Sequence, residues 1–112
     1  MAKSKSANAC EFSPSVRKVI KERDQYQCIM PGCNRGFLGI AHVFVSRAKG
    51  GLGVKENGVL LCQHHHTIYD NGRDSKMAEY IGNLCKSYII SKHGDIIISD
   101  LKYKKWKGFK HG

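Results

Sequence analysis

Two short pairs of metal-binding side chains limit what this chain can become. Cys28-Ile29-Met30-Pro31-Gly32-Cys33 is a C-x4-C pair, and Cys62-Gln63-His64-His65 is a C-x2-H pair. Together they offer three thiolates and one imidazole, a closed tetrahedral ligand set of the kind structural zinc prefers. Pro31 and Gly32 favour a turn that folds the first pair back on itself. The chain has 5 cysteines, an odd number, and no export signal precedes them, so a disulfide framework is disfavoured. Cys10 and Cys85 lie outside either pair and read as a free surface thiol and a small core residue. The bland alternative is three unrelated thiols and a chance histidine.

A zinc staple matters because the chain is short. Its 112 residues suffice for one modest core and exclude a second domain or a large substrate chamber. Hydrophobic residues make up 41%, which excludes disorder on composition. Lys and Arg number 19 against 9 Asp and Glu, a net charge of +10. Such an excess predicts an anionic partner, with a merely solvated basic surface as the alternative. No stretch is apolar enough to span a bilayer, and residues 1–10 lack an apolar signal core, so no membrane partner and a cytoplasmic location are expected.

Hydrophobic periodicity supplies the frame. Residues 1–11 read as a flexible polar tail. Ser13 can cap a helix opening at Pro14, with Val16, Val19 and Ile20 inward and Arg17, Lys18, Lys21 and Arg23 outward, running to about Asp24. Leu38 to Val45 reads as a strand. A glycine-rich connection then leads to a short returning strand, Val59-Leu60-Leu61. Cys62 to Asp70 reads as a short helix stopped by Asn71-Gly72. The clearest helix spans about Ser75 to Lys92, with a core stripe of Met77, Tyr80, Ile81, Leu84, Cys85, Tyr88 and Ile89, weakened at Gly82. Asp95 to Leu101 fits a strand or a packed extension. Residues 102–112 form a tail of Lys102, Lys104, Lys105, Lys107 and Lys110 interleaved with Tyr103, Trp106 and Phe109. Such a tail suits phosphate tracking and base stacking, or simply tethers a soluble terminus.

The imidazoles carry the chemistry. His64, His65 and His66 are adjacent, but a helix turns about 100° per residue, so they cannot share one site. His65 faces the zinc with Cys62, and His66 points elsewhere. Asp70 lies four residues on, on the same helix face as His66. The two can hold a second, harder cation, though Asp70 can equally be a turn residue of Asp-Asn-Gly. His42 sits within the apolar strand, where a satisfied core histidine is the common case. The hairpin must pack on the zinc-bound helix through Cys62, which brings His42 across from His66. A neutral histidine beside a metal-bound phosphate suits general-base work.

At this point the chain resembles the HNH endonuclease family, the ββα-metal nucleases, in the zinc-bound form common among small phage-encoded members. The likeness is carried by Ile40-Ala41-His42-Val43-Phe44, Gly50-Gly51 and Glu56-Asn57-Gly58-Val59-Leu60-Leu61-Cys62-Gln63-His64-His65-His66, with His65 where a cysteine is commoner. It covers roughly residues 12–72. The resemblance implies an α+β fold: a treble-clef-like ββα-metal core stapled by zinc and flanked by N- and C-terminal helices, in one nuclease domain over 12–101. It implies a metal-dependent DNA endonuclease with His42 as general base and Asn57 orienting it. By the resemblance His66 would help hold one catalytic Mg²⁺ or Mn²⁺, and Cys28, Cys33, Cys62 and His65 the structural zinc. Many relatives carry an acidic ligand immediately before the general base, where this chain has Ala41: either Asp70 takes over, making a His66–Asp70 pair, or water fills the gap, or metal binding is weak.

The implied partner is double-stranded DNA, contacted by Arg47, Lys49, Lys18 and Lys21 as phosphate-holding groups. The protein would act as a monomer or dimer, with a terminase or other packaging partner by analogy to phage relatives. The competing reading is a non-catalytic zinc-ribbon-like module that binds DNA or RNA. A third is a structural or inhibitory protein that binds a partner through the Met77–Ile89 face.

Overall fold

A two-stranded antiparallel hairpin organises the computed structural model, which describes residues 5–71 and 75–103. The tail residues Lys104, Lys105, Trp106, Lys107, Phe109 and Lys110, and the Gly72 helix stop, lie outside the described residues. Strand β1 (Leu38–His42) pairs with β2 (Gly58–Cys62), Leu38 opposite Cys62 and His42 opposite Gly58. Helix α1 covers Lys5–Cys10, α2 Pro14–Arg23, α3 Gln63–Asn71 and α4 Lys76–His93. The architecture is α+β and ββα-metal-like, as the sequence predicts.

The period of two along the strands separates two cores. Ile40 and Leu60 face α2, where they pack with Phe12 and Ile20. Ala41, Val43, Val59 and Leu61 face the other way, onto Ile81, Cys85 and Ile89 of α4. Helices therefore cover both faces of a ribbon only two strands wide. Burying each large aliphatic side chain contributes about 1.5–3 kcal/mol.

Capping sets the helix ends where expected. Ser13 Oγ accepts from Val16 N at 3.3 Å and Pro14 occupies the first turn of α2. Ser75 Oγ accepts from Ala78 N at 3.0 Å, and Gly94 closes α4 at φ 83°.

Several expectations need correction, among them Val19, which is 45% exposed rather than inward, and Arg23, whose side chain is largely buried rather than outward. Residues 5–10 are helical rather than part of a flexible tail, and Cys10 is buried rather than a surface thiol. The cause is tertiary: Gly53 N donates to Ala9 O at 3.0 Å, and Cys10 and Phe12 sit under the hairpin. Strand β1 ends at His42 rather than Val45, because a side chain replaces the ladder beyond that point. Met77 and Tyr80 are 51% and 54% exposed, outside the core. Ala78 and Gly82 take their place, since Tyr69 of α3 packs so close that a Cβ at Gly82 would lie 3.2 Å from its ring. Of the two readings of Asp95–Leu101, the packed extension holds: the segment ends in a 3-10 turn, Ile98–Leu101, whose Leu101 is buried and accepts Leu52 N through its carbonyl at 2.8 Å.

Among the described residues, the outer edge of β2 is closed by side chains and one backbone hydrogen bond from Ile29 N rather than by a third strand. Asp24 is buried and accepts from Leu60 N at 2.9 Å and Tyr88 OH at 2.6 Å. Arg23 pairs with it through Nε (2.6 Å) and Nη2 (3.0 Å), and donates to Gly58 O and Lys55 O. Burial, and then Asp24 beside it, push the Tyr88 phenol up to about 12. This pair joins α2, β2 and α4. Asp24→Ala is expected to cost about 3–5 kcal/mol, because it strands a largely buried guanidinium, a strand N–H and a phenol. A urea midpoint within error of wild type would show that the pair is dispensable.

Candidate metal and phosphate site

Zinc-type ligands converge where the thiol spacing predicts. The ligand atoms of Cys28, Cys33, Cys62 and His65 all lie within 4.8 Å of one another. Cys33 and Cys62 sulfurs are 3.8 Å apart, and His65 Nδ1 lies 3.5 Å from Cys28 Sγ and 3.2 Å from Cys62 Sγ. Tetrahedral zinc with bonds of about 2.3 Å to sulfur and 2.0–2.1 Å to nitrogen would set S···S near ~3.8 Å and S···N near ~3.5 Å. The four residues therefore fit zinc. His65 N lies 3.5 Å from Cys62 Sγ, well placed to donate to a thiolate.

The thiols are not equivalent. Burial pushes Cys28 up to about 11, while the Arg35 backbone N–H holds Cys33 below the usual thiol value. His65 is lowered by burial, then by the neighbouring His64 and Arg35 charges. An ion entering the cluster displaces thiol protons, so its affinity falls as pH falls.

A cleft of about 950 Å³ brings several of the remaining sequence-predicted groups together. His42, His66, Asp70, Arg47 and Lys49 all line it. His42 shares a strand face with Ile40, and its ring meets that of Phe12 at a tilt of 46°, ring centres 4.6 Å apart. His66 crosses the opposite face over Gly39, where an added Cβ would lie 3.2 Å from its Nδ1. Both reach one cleft because β1 has β2 on one side and, among the described residues, no strand on the other.

His42 is held by a carbonyl. Its Nε2 donates to Cys10 O at 2.9 Å, so the neutral ring carries its lone pair on Nδ1. Burial lowers its pKa below 6.5, Arg47 adds to this, and the Cys10 and Gly51 carbonyls and Asp70 act in the opposite sense. The ring is thus biased toward the proton-accepting form.

His66 Nε2 and Asp70 Oδ2 are 3.0 Å apart, both partly exposed. That separation fits a direct hydrogen bond. It equally fits two adjacent ligands on an octahedral ion with bonds of about 2.1 Å. Ala41 is buried in the core against α4 and contributes no ligand atom.

Asn57 lies beneath the site, with 0% exposure. Its Oδ1 accepts from Phe44 N (2.8 Å) and Val45 N (3.1 Å), and its Nδ2 donates to Val45 O (3.0 Å) and Leu52 O (3.1 Å). Every hydrogen-bonding valence of the amide is used within the 43–57 loop. The amide ends the β1 ladder and fixes the backbone that follows His42.

Lys18 and Lys21 are exposed on α2 but do not line the cleft, whereas Arg17, Glu11 and Lys102 do. Lys102 is brought in by a bridge to Gly51, and Tyr103 N donates to Gly50 O at 2.7 Å. The sequence holds no local signal for that pairing.

Neither the protein-family models nor the curated proteins contain a match to this chain. Among solved structures it is similar to the Type IV phosphorothioation-dependent restriction endonuclease ScoMcrA, with a TM-score of 0.58 and 22% identity. The superposition covers 82% of this chain and 22% of that one. The likeness is one of fold. No helix among the described residues is long and apolar enough to cross a membrane.

Proposed function

We propose that the protein is a metal-dependent DNA endonuclease. The observation that carries the reading is the meeting of His42 with the His66–Asp70 pair in one basic-walled cleft. His42 would take the proton of a water through Nδ1 as that water attacks phosphorus. The P–O3′ bond would break as the P–O bond to water forms, and the departing O3′ would take a proton from solvent, giving a 5′ phosphate and a 3′ hydroxyl. Mg²⁺ or Mn²⁺ held by His66 and Asp70 would supply Lewis-acid stabilisation of the developing negative charge. Asn57 would keep the loop, and through it His42, in place. Arg47 and Lys49 would hold the duplex by its phosphates, and Lys18 and Lys21 would add contacts outside the cleft. The fold shared with a restriction endonuclease is consistent with this reading.

The test is plasmid nicking with Mg²⁺, Mn²⁺ or Ni²⁺. Wild-type protein is expected to convert supercoiled to open-circular DNA only with the ion present. Asp70→Ala is expected to lower that rate by at least about 100-fold, with zinc content unchanged by atomic absorption. Full activity in the variant would remove Asp70 from the site.

Ala41 favours a second reading. With an apolar residue there, the pair of cation ligands lacks a third protein member, which suits a zinc-ribbon-like module that binds DNA or RNA without cutting it. Absence of product with every ion, alongside tight binding, would select it.

A further inference from the structure

The long helix α4 has two faces. Ile81, Cys85 and Ile89 pack against the hairpin, part of the core stripe that the periodicity predicts. Its other edge is polar. Glu79, Asn83 and Lys86 follow at i, i+4 and i+7, which brings them within about 60° of one another around the axis. All are exposed and all line the cleft that contains His42 and His66. Arg47 and Lys49 line the same cleft from the loop after β1.

We infer that Asn83 and Lys86 form a second phosphate-binding wall, on α4, for the DNA strand that enters the cleft. This rests on the nuclease reading. A cleft of about 950 Å³ has room for a backbone segment but not for a duplex about 20 Å across, so one strand's phosphates meet cations from the loop and from α4. The side chains offer complementary chemistry. Lys86 brings a charge that displaces counterions from the strand, and Asn83 a neutral N–H donor one turn earlier. Glu79, at the N-terminal end of the stripe, places a carboxylate in the cleft and disfavours a phosphate there. The wall therefore binds at its Lys86 end.

The experiment measures binding of a short DNA duplex to the zinc-loaded 112-residue protein across a salt series, with Ca²⁺ replacing the catalytic ion. Lys86→Ala is expected to reduce the slope of log K against log salt by about 0.9, the value of one lost phosphate contact. Lys86→Arg should restore it. Asn83→Ala should weaken binding several-fold with the slope unchanged, since no counterion is displaced by an amide. Lys92→Ala serves as control: its ammonium lies 5.5 Å from the Tyr88 ring centre, and Lys92 lines a different recess. A wild-type slope in Lys86→Ala, or an equal fall in Lys92→Ala, would overturn the wall while leaving the nuclease reading intact. In nicking assays Lys86→Ala should raise KM and spare kcat. Wild-type protein that does not bind the duplex would overturn both readings.

Discussion

Removal of zinc is expected to unfold the protein. The thiol pairs join the turn at residues 28–33, the end of β2 and the first turn of α3. Besides those ligands, the turn is held among the described residues by one backbone hydrogen bond to β2, Ile29 N to Leu60 O at 3.1 Å, and by the packing of Met30 and Ile29 on the core. Zinc binding to peptides with such ligand sets contributes about 10–16 kcal/mol near neutral pH, comparable to or larger than the whole stability of a typical domain. A strong chelator should therefore abolish the cooperative melt by circular dichroism, and added Zn²⁺ should restore it. Cys62→Ser is expected to reproduce the loss. Because thiols must deprotonate to bind, zinc should also leave as pH falls. An apo protein with an unchanged melting curve would refute the four-ligand site.

Substitution of His42 should give the largest loss of activity without loss of fold. General-base catalysis is worth about 100- to 10,000-fold, and His42→Ala is expected to fall in that range in single-turnover nicking. His42→Gln keeps more of the contact with Phe12 and separates a packing defect from a chemical one. The pH dependence provides an independent check. Only the neutral ring accepts a proton, and burial sets its pKa below 6.5. The acid limb of the rate profile should therefore fall below pH 6.5, and a cation on His66 and Asp70 would push it lower still. A limb centred above pH 6.5, or wild-type activity in both variants, would exclude His42 as the base.

What the sequence made legible was local. Cys28, Cys33, Cys62 and His65 announce themselves by spacing, and Ser13-Pro14 and Ser75 mark helix starts by chemistry that operates within four residues. The pairing of His66 with Asp70 followed from helical geometry alone and is met at 3.0 Å. What escaped depends on contacts far apart in the chain. Asp24 looks like an ordinary helix end, yet its partners are Leu60 and Tyr88. Cys10 looks like part of a polar tail, yet its carbonyl fixes the imidazole of His42. Met77 and Tyr80 satisfy the core periodicity, yet α3 lies across the helix at Ala78 and Gly82 and leaves them in solvent. Periodicity reports that a face is buried. It does not report which neighbour arrives, or how wide that neighbour is.

The Asn57 amide has one further consequence. Since a single buried side chain, rather than continued strand pairing, decides where the hairpin stops, the exposed Arg47–Lys49 turn hangs from an anchor that takes no account of its composition. The outward side chains of that turn can be recharged without touching the anchor, but its length is fixed, because Gly50 O accepts from Tyr103 N at 2.7 Å and Gly51 bridges Lys102 at its exit.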